Sequence, residues 1–335
     1  PNYMMNREEK KPLLSICVPT RNRVDLLLRT LRSVQTSSSE VEIVVTDNSE
    51  GDETKHAVEA LFDGYEGSWR YHKNNFPHEM PGWEKMVGNF NMGVHLARGK
   101  YIYILHDDDY LLKDSLDILL PSLRTMDEAY KIVVFGTLLV DMQGNVLRVD
   151  HFAAQGYYSP AESLDKLLKN SASVHTPGFI FKKEVYDTVG LWDVEGCPPV
   201  DYNMWVRSFS EFGVYVMSDV LSAFTIHSGS VTMTMFNIES VRAIIDNFEI
   251  VKKKNLLKVG RLEQLKSQFI HQFLLAGVWK FIKKRKYAEA RQVMDLSKHP
   301  EMQQLRLSPK WFPVKVTFSL YLWFSQLFPS ATISR

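Results

Sequence analysis

Short apolar runs alternate with amphipathic stretches through the first 140 or so residues. LLSICVPT (13–20), VEIVVTD (41–47), WRYHKN (69–74), YIYIL (101–105) and KIVVFGT (131–137) read as strands. Between the first two, VDLLLRTLRSVQ (24–35) places apolar residues at 24, 27, 28, 31 and 34, the spacing of one helix face. KHAVEALFD (55–63) and segments near 84–98 and 112–125 also read as helices, with Gly99 expected as a C-cap. This βαβ alternation predicts an α/β fold with a mixed, mainly parallel sheet covered by helices on both faces.

The pattern changes between about 140 and 230. GFIF (178–181), VYVMS (214–218) and SAFTIH (222–227) are strand-like, with a helix near 202–211, and continue the same domain as its other wall. From about 235 the chain turns helical and basic, in VKKKNLLKVGRLEQLK (251–266) and WKFIKKRKY (279–287). WFPVKVTFSLYLWFSQLFPS (311–330) is aromatic, but Pro313, Lys315, Gln326 and Pro329 keep it short of the roughly 20 apolar residues a membrane span needs. It reads as an interfacial segment following a basic region. The expected organisation is a disordered or tag-like lead at 1–11, a domain at 12–232 with halves at 12–137 and 138–232, and a helical C-terminal region at 233–335.

Composition narrows the class only modestly. Hydrophobic content of 45% and charged content of 24% fit a globular chain rather than a disordered one. Two cysteines, Cys17 and Cys197, support neither a disulfide framework nor a four-ligand zinc site, and Cys17 inside an apolar run reads as a buried thiol. That cysteine usage suits a reducing compartment, and the first residues carry no apolar core of a secretory signal. No basic stripe interleaves with a nucleic-acid-binding motif.

The candidate chemistry lies at strand ends, because open α/β sheets bind ligands beyond the carboxyl ends of their strands. Polar clusters follow four strands: Thr20-Arg21-Asn22-Arg23, Asp47-Asn48-Ser49, Asn74-Asn75 and His106-Asp107-Asp108-Asp109. Alone, the acidic run would be a solvated turn with Asp109 capping the next helix. Converging with three other clusters, it suits Mg²⁺ or Mn²⁺, which favour a few carboxylates plus substrate phosphates. The turn after the first strand has neither G-x-G-x-x-G nor G-K-[ST], which argues against an oxidoreductase or a P-loop NTPase.

Together LSICVPTRNRVDLLLRTLRSV, EIVVTDNSE, NFNMGVHLARGKYIYILHDDD and VDYNMW resemble family 2 glycosyltransferases of the GT-A fold. The resemblance implies an inverting, metal-dependent transferase that moves a sugar from a nucleotide-diphosphate sugar to a glycan or lipid-linked acceptor in bacterial surface polysaccharide synthesis. It implies nucleotide-sugar contacts from Pro19, Thr20, Arg21, Asn22, Arg23, Asp47, Asn75 and Asn91. Asp107 falls near the ribose and Asp108 or Asp109 on Mn²⁺ or Mg²⁺, with His106 where the family usually carries an Asp. His227 in TIHSGSVT is placed to complete the metal site. In CPPVDYNMW, Val200 replaces the family's acidic partner and leaves Asp201 as the catalytic base. His175, Trp205 and Arg207 are acceptor-side candidates. The basic, aromatic C-terminus suits peripheral attachment to the inner face of the cell membrane or an oligomer interface. A non-catalytic scaffold and a nucleotidyltransferase on a similar fold are the competing readings.

Overall fold

The computed structural model describes residues 11–169, 174–195, 200–227, 235–303, 305–306 and 309–327. Cys197 and the Ser/Thr-rich stretch after His227 lie outside the described residues. β1 (Leu14–Thr20), α1 (Val24–Val34), β2 (Val41–Asp47), α2 (Glu53–Leu61), β3 (Ser68–Lys73), α3 (Gly82–Leu96) and β4 (Tyr101–Ile104) alternate as the apolar pattern predicts. Every residue of β1, β2 and β4 is buried, the polar Ser15, Glu42, Thr46 and Asp47 included, so apolar residues are not confined to alternate positions. α1 buries Leu27, Leu31 and Val34 in a core shared with Ile16, Val18, Ile43 and Val45.

The chain continues through β5 (Tyr110–Leu111), α4 (Ser115–Thr125), β6 (Ile132–Val140), β7 (Val146–Asp150), β8 (Gly156–Tyr158), α5 (Pro160–Lys169), β9 (Phe179–Lys182), α6 (Lys183–Val189), α7 (Val200–Phe212) and β10 (Val214–Thr225). The strands form one sheet in the order β3-β2-β1-β4-β9-β6-β10-β5, with β7 beside β6 and β8 beside β10. β1, β2, β3 and β4 pair in parallel, as do β6 and β10, while β9 runs antiparallel between β4 and β6. Two reversals across β9 leave β6 parallel to β4. The major strands therefore end on one edge.

Three local features differ from expectation. α3 ends on Ala97 in extended conformation, so Gly99 is not its cap. A Cβ on Gly99 would sit 2.7 Å from the Ser15 backbone nitrogen, so glycine permits the close approach of the chain to β1. The segments 214–218 and 222–225 are parts of one twelve-residue strand, β10, interrupted by register shifts against β6, and Ile226 and His227 follow it. α4 begins after Asp114, in left-handed conformation, so Asp109 does not cap it.

Two compact units contain the described residues. The first lies within 1–163, 172–194 and 207–228 and holds the sheet; the second lies within 164–171, 195–206 and 229–335. In the second, α8 (Ile238–Lys254), α9 (Val259–Lys283), α10 (Tyr287–Leu296), α11 (Pro300–Gln303) and α12 (Phe312–Leu327) follow in order. The first turns of α7 belong to it: Asn203 Nδ2 donates to the buried Asn247 Oδ1 at 2.7 Å, and Tyr202 packs on Phe269.

Candidate active site

Strand register decides which side chains meet at the carboxyl edge. Thr20 is level with Asp47, and Asp47 with Lys73. Ile104 at the end of β4 is opposite Cys17, so Asp107 arrives beside Thr20 three residues later. The Thr20 hydroxyl donates to Asp107 Oδ2 at 2.8 Å.

The acidic run is held from behind by α1. The Thr30 hydroxyl lies 2.9 Å from the Asp107 carbonyl and 2.6 Å from that of Asp109. Arg29 Nη2 donates to the Asp108 carbonyl and, at 2.9 Å, to Thr225 Oγ1. With its backbone pinned, the run splays its carboxylates apart. Asp107 also receives Arg23 Nη1 at 3.3 Å, and Asp108 Oδ2 receives the same nitrogen at 2.8 Å. His227 Nε2 lies 2.9 Å from Asp108 Oδ2, and the Thr225 backbone N–H donates to Asp109 Oδ1 at 2.9 Å.

Asp109 Oδ2 and His106 Nε2 are buried and have no hydrogen-bond partner among the described residues. One ligand atom from each of His106, Asp108 and Asp109 lies within 4.8 Å of the others. The His106 ring is steadied by stacking on Phe90 at 5.1 Å. Unspent lone pairs on a carboxylate and an imidazole, beside a second carboxylate, fit a divalent cation. Mixed nitrogen and oxygen donors suit Mn²⁺ better than Mg²⁺.

The electrostatics agree with that fit. Burial first, then the Asp108 charge, pushes Asp107 up to about 6. Asp109, wholly buried, is pushed well above the usual carboxylate range by burial and by Asp108. Burial also opposes the charge on Asp108, but His106, the His227 hydrogen bond and Arg23 outweigh it and hold this carboxyl below its ordinary value. A cation beside Asp109 would compensate a charge that the protein alone leaves poorly solvated.

The loops after β1 and β2 are stitched together. Asn22, in left-handed conformation, donates its N–H to Ser49 Oγ at 2.8 Å and accepts from the Glu50 N–H at 3.2 Å. Arg21 is half-exposed, 3.6 Å from Glu50, and Pro19 is buried within β1. Beside them a hollow of about 540 Å³ is lined by Asn22, Arg23, Asp25, Ser49, Glu50 and Thr54 among others. Asp47 is fully buried and accepts from the Ser49 N–H at 2.6 Å, the Tyr71 hydroxyl at 2.5 Å and Lys73 Nζ at 3.3 Å.

The asparagines divide differently from the sequence expectation. Asn75 is exposed. Its neighbour Asn74 donates to Asn48 Oδ1 at 2.8 Å and Asn89 Oδ1 at 2.7 Å, while Asn89 Nδ2 donates to the Thr20 carbonyl at 3.1 Å. Asn91 points away from this network, because its amide clasps the Trp192 backbone carbonyl and N–H at 2.9 and 3.0 Å. Asn89, Arg29 and Thr30 are residues that sequence reasoning missed, and Asn74, noted at the strand end, was not singled out there. For Arg29 and Thr30 the sequence carried no distinguishing signal, because the burial of Thr30 shows only in the fold.

Of the acceptor-side candidates, His175 precedes β9, and Trp205 and Arg207 lie on α7. His175 Nε2 lies 2.7 Å from Asp150 Oδ2, and its ring stacks on Phe224 at 5.0 Å. Arg207 donates to the carbonyls of Val189 and Leu191, so its guanidinium ties down the end of α6. Trp205 is buried at 6% exposure, and Asp201 occupies the first turn of α7, half-buried, in the second unit.

Residues 15–190 match the sequence profile of Glycosyl transferase family 2. The chain belongs to that family and is a glycosyltransferase. Over 209 residues it is 29% identical to the GalNAc(5)-diNAcBac-PP-undecaprenol beta-1,3-glucosyltransferase of Campylobacter jejuni, covering 61% of this chain and 62% of that relative. The alignment thus spans less than two thirds of the relative's length. The S. aureus TarS structure in complex with UDP-GlcNAc overlays with a TM-score of 0.59 at 12% identity, covering 95% of this chain and 93% of that one. The mannosyltransferase PcManGT from Pyrobaculum calidifontis, in complex with GDP-Man and Mn²⁺, gives a TM-score of 0.53 at 14% identity, with coverages of 96% and 88%. At such identities the likeness establishes a shared fold, the GT-A arrangement of the sheet described above.

Proposed function

We propose that this glycosyltransferase moves a sugar, with inversion, from a nucleotide-diphosphate sugar to a hydroxyl of a glycan carried on a lipid, in bacterial surface polysaccharide synthesis. The observation that carries the reading is the His106, Asp108 and Asp109 group, two of whose ligand atoms are buried and unspent at the strand edge. The undecaprenol-linked acceptor named for the Campylobacter jejuni relative supports the acceptor class. Membrane contact at the inner face of the cell membrane belongs to the same reading.

Mn²⁺, or Mg²⁺ with weaker binding, would be held by His106, Asp108 and Asp109 and would offset charge growing on the departing diphosphate. His227 and Arg23 orient Asp108, and the Thr225 N–H orients Asp109. Thr20 and Arg23 fix Asp107 for the ribose, with Arg21, Asn22, Asp47 and Asn75 shaping the nucleoside side. Asp201 accepts the proton of the acceptor hydroxyl. That oxygen forms the new bond to C1 as the C1–O bond to the diphosphate breaks, and the nucleoside diphosphate leaves. His175 orients the acceptor.

The test is a panel of nucleotide-sugars with Mn²⁺, scored by release of nucleoside diphosphate. Release from one donor, abolished by EDTA, is expected. No release and no change in melting temperature with any donor would overturn the reading.

A further inference from the structure

α12 carries two apolar faces, and only one is used inside the protein. The inward face places Phe318 parallel to the Trp279 ring at 5.9 Å and buries Leu322 to 3% exposure. Arg291 Nη1 fixes the helix further by donating to the Leu322 carbonyl at 3.4 Å. On the other side Phe312, Val316, Leu320, Trp323 and Phe324 stand between 40% and 58% exposed. Their spacing of i, i+4, i+8, i+11 and i+12 puts all five on one stripe. Scattered single exposures would need no explanation, but a contiguous stripe of this size does.

A basic turn packs beside the same helix. Lys283, Lys284, Arg285 and Lys286, in the turn from α9 to α10, are all exposed. This turn lies against α12: Lys283 Nζ sits 5.7 Å from the centre of the Trp279 ring that stacks on Phe318, and the Arg285 charge acts on Tyr321. The exposed Lys310 precedes the helix, and no acidic residue occurs from position 302 to the end of the chain. An aromatic and aliphatic stripe on a helix flanked by cations complements an anionic lipid surface, where rings enter the headgroup boundary and cations meet phosphates. A second copy of the same face would bring like-charged turns together. Among the described residues no helix is long and apolar enough to cross a membrane.

We propose that α12 is an in-plane docking helix, which lays Phe312, Val316, Leu320, Trp323 and Phe324 into the surface of an anionic membrane. The inference deepens the lipid-borne acceptor reading and rests on it for its biological setting only.

The test uses the full chain and vesicles of phosphatidylcholine, with or without phosphatidylglycerol, read by co-sedimentation. Wild-type protein is expected on the anionic vesicles, and Phe312→Ser/Leu320→Ser/Trp323→Ser should lower partitioning by about tenfold or more. Replacing residues 283–286 by glutamine should remove the preference for phosphatidylglycerol. Wild-type partitioning of the triple variant would overturn the proposal, as would wild-type protein that ignores both vesicles. A concentration-dependent dimer that the triple variant abolishes would assign the stripe to a second copy instead. Release of nucleoside diphosphate in vesicle-free solution, measured on the same proteins, separates the two readings: retained release without docking overturns only the helix proposal.

Discussion

His227, two residues beyond the end of β10, reaches Asp108 Oδ2 at 2.9 Å. The contact ties the last strand of the sheet to the acidic run after β4 and leaves Asp108 facing His106 and Asp109 with a fixed orientation. Such supporting contacts to metal ligands are commonly worth one to two orders of magnitude in metal affinity. His227→Ala should accordingly weaken Mn²⁺ binding about ten- to a hundredfold in calorimetric titration. Unchanged affinity would make His227 a bystander.

Asp107 provides a pH signature in metal-free protein. Its folded-state pKa is about 6 against an ordinary 3.8, so between these values the folded chain holds a proton that the unfolded chain has released. The group's stabilising contribution is complete below the unfolded value and is lost as pH rises through about 6. With EDTA present, wild-type stability relative to Asp107→Asn should fall by roughly 2–3 kcal/mol between about pH 4 and about pH 7. Urea unfolding at the two pH values measures this; a difference that grows with pH would contradict it.

Glu42 anchors the opposite edge of the sheet. Fully buried, it accepts the Ser15 hydroxyl at 2.6 Å and binds Arg70 and Arg98 at 3.0 Å each. Burial opposes its charge, yet Ser15, the Arg98 backbone N–H and the arginines hold its carboxyl below the ordinary value. Glu42→Gln should destabilise the fold by roughly 2–3 kcal/mol, discounted because both guanidiniums are partly exposed. Nucleotide affinity should not change, since the site lies at the other end of the strands.

Asp201→Asn should leave donor affinity intact and lower transfer by about a hundred- to ten-thousandfold, the usual worth of a general base. Full transfer activity in this variant would place the base elsewhere. Its position on the first turn of α7 is firm, because Tyr202 and Asn203 beside it are locked to α9 and α8.

The nucleotide half of the fold was legible because β1, β2 and β4 are buried throughout and mostly apolar, from Ile16 in β1 to Ile104 in β4. The acidic run stood out because charges at the end of such a strand contrast with everything before them. β7 was missed because Val146, Leu147 and Val149 are exposed, and their strand identity comes from pairing with β6 rather than from burial. Asn74 and Asn89 were passed over for Asn75 and Asn91 because adjacent or nearly adjacent amides differ only in which way the backbone turns them. Arg29 and Thr30 were read only as part of the helix at 24–35. Only the sheet register shows that this face abuts the carbonyls of Asp107, Asp108 and Asp109.

In the proposed function, His106, Asp108 and Asp109 hold the cation on which the nucleotide diphosphate settles. Electron paramagnetic resonance of Mn²⁺ titrated into wild-type, His106→Ala and Asp109→Asn protein, with and without UDP and GDP, tests it most directly. Bound Mn²⁺ is expected in the wild type, tightened by a matching nucleoside diphosphate, with about tenfold or greater weakening in each variant. Equal Mn²⁺ binding by all three proteins, indifferent to nucleotide, would contradict it.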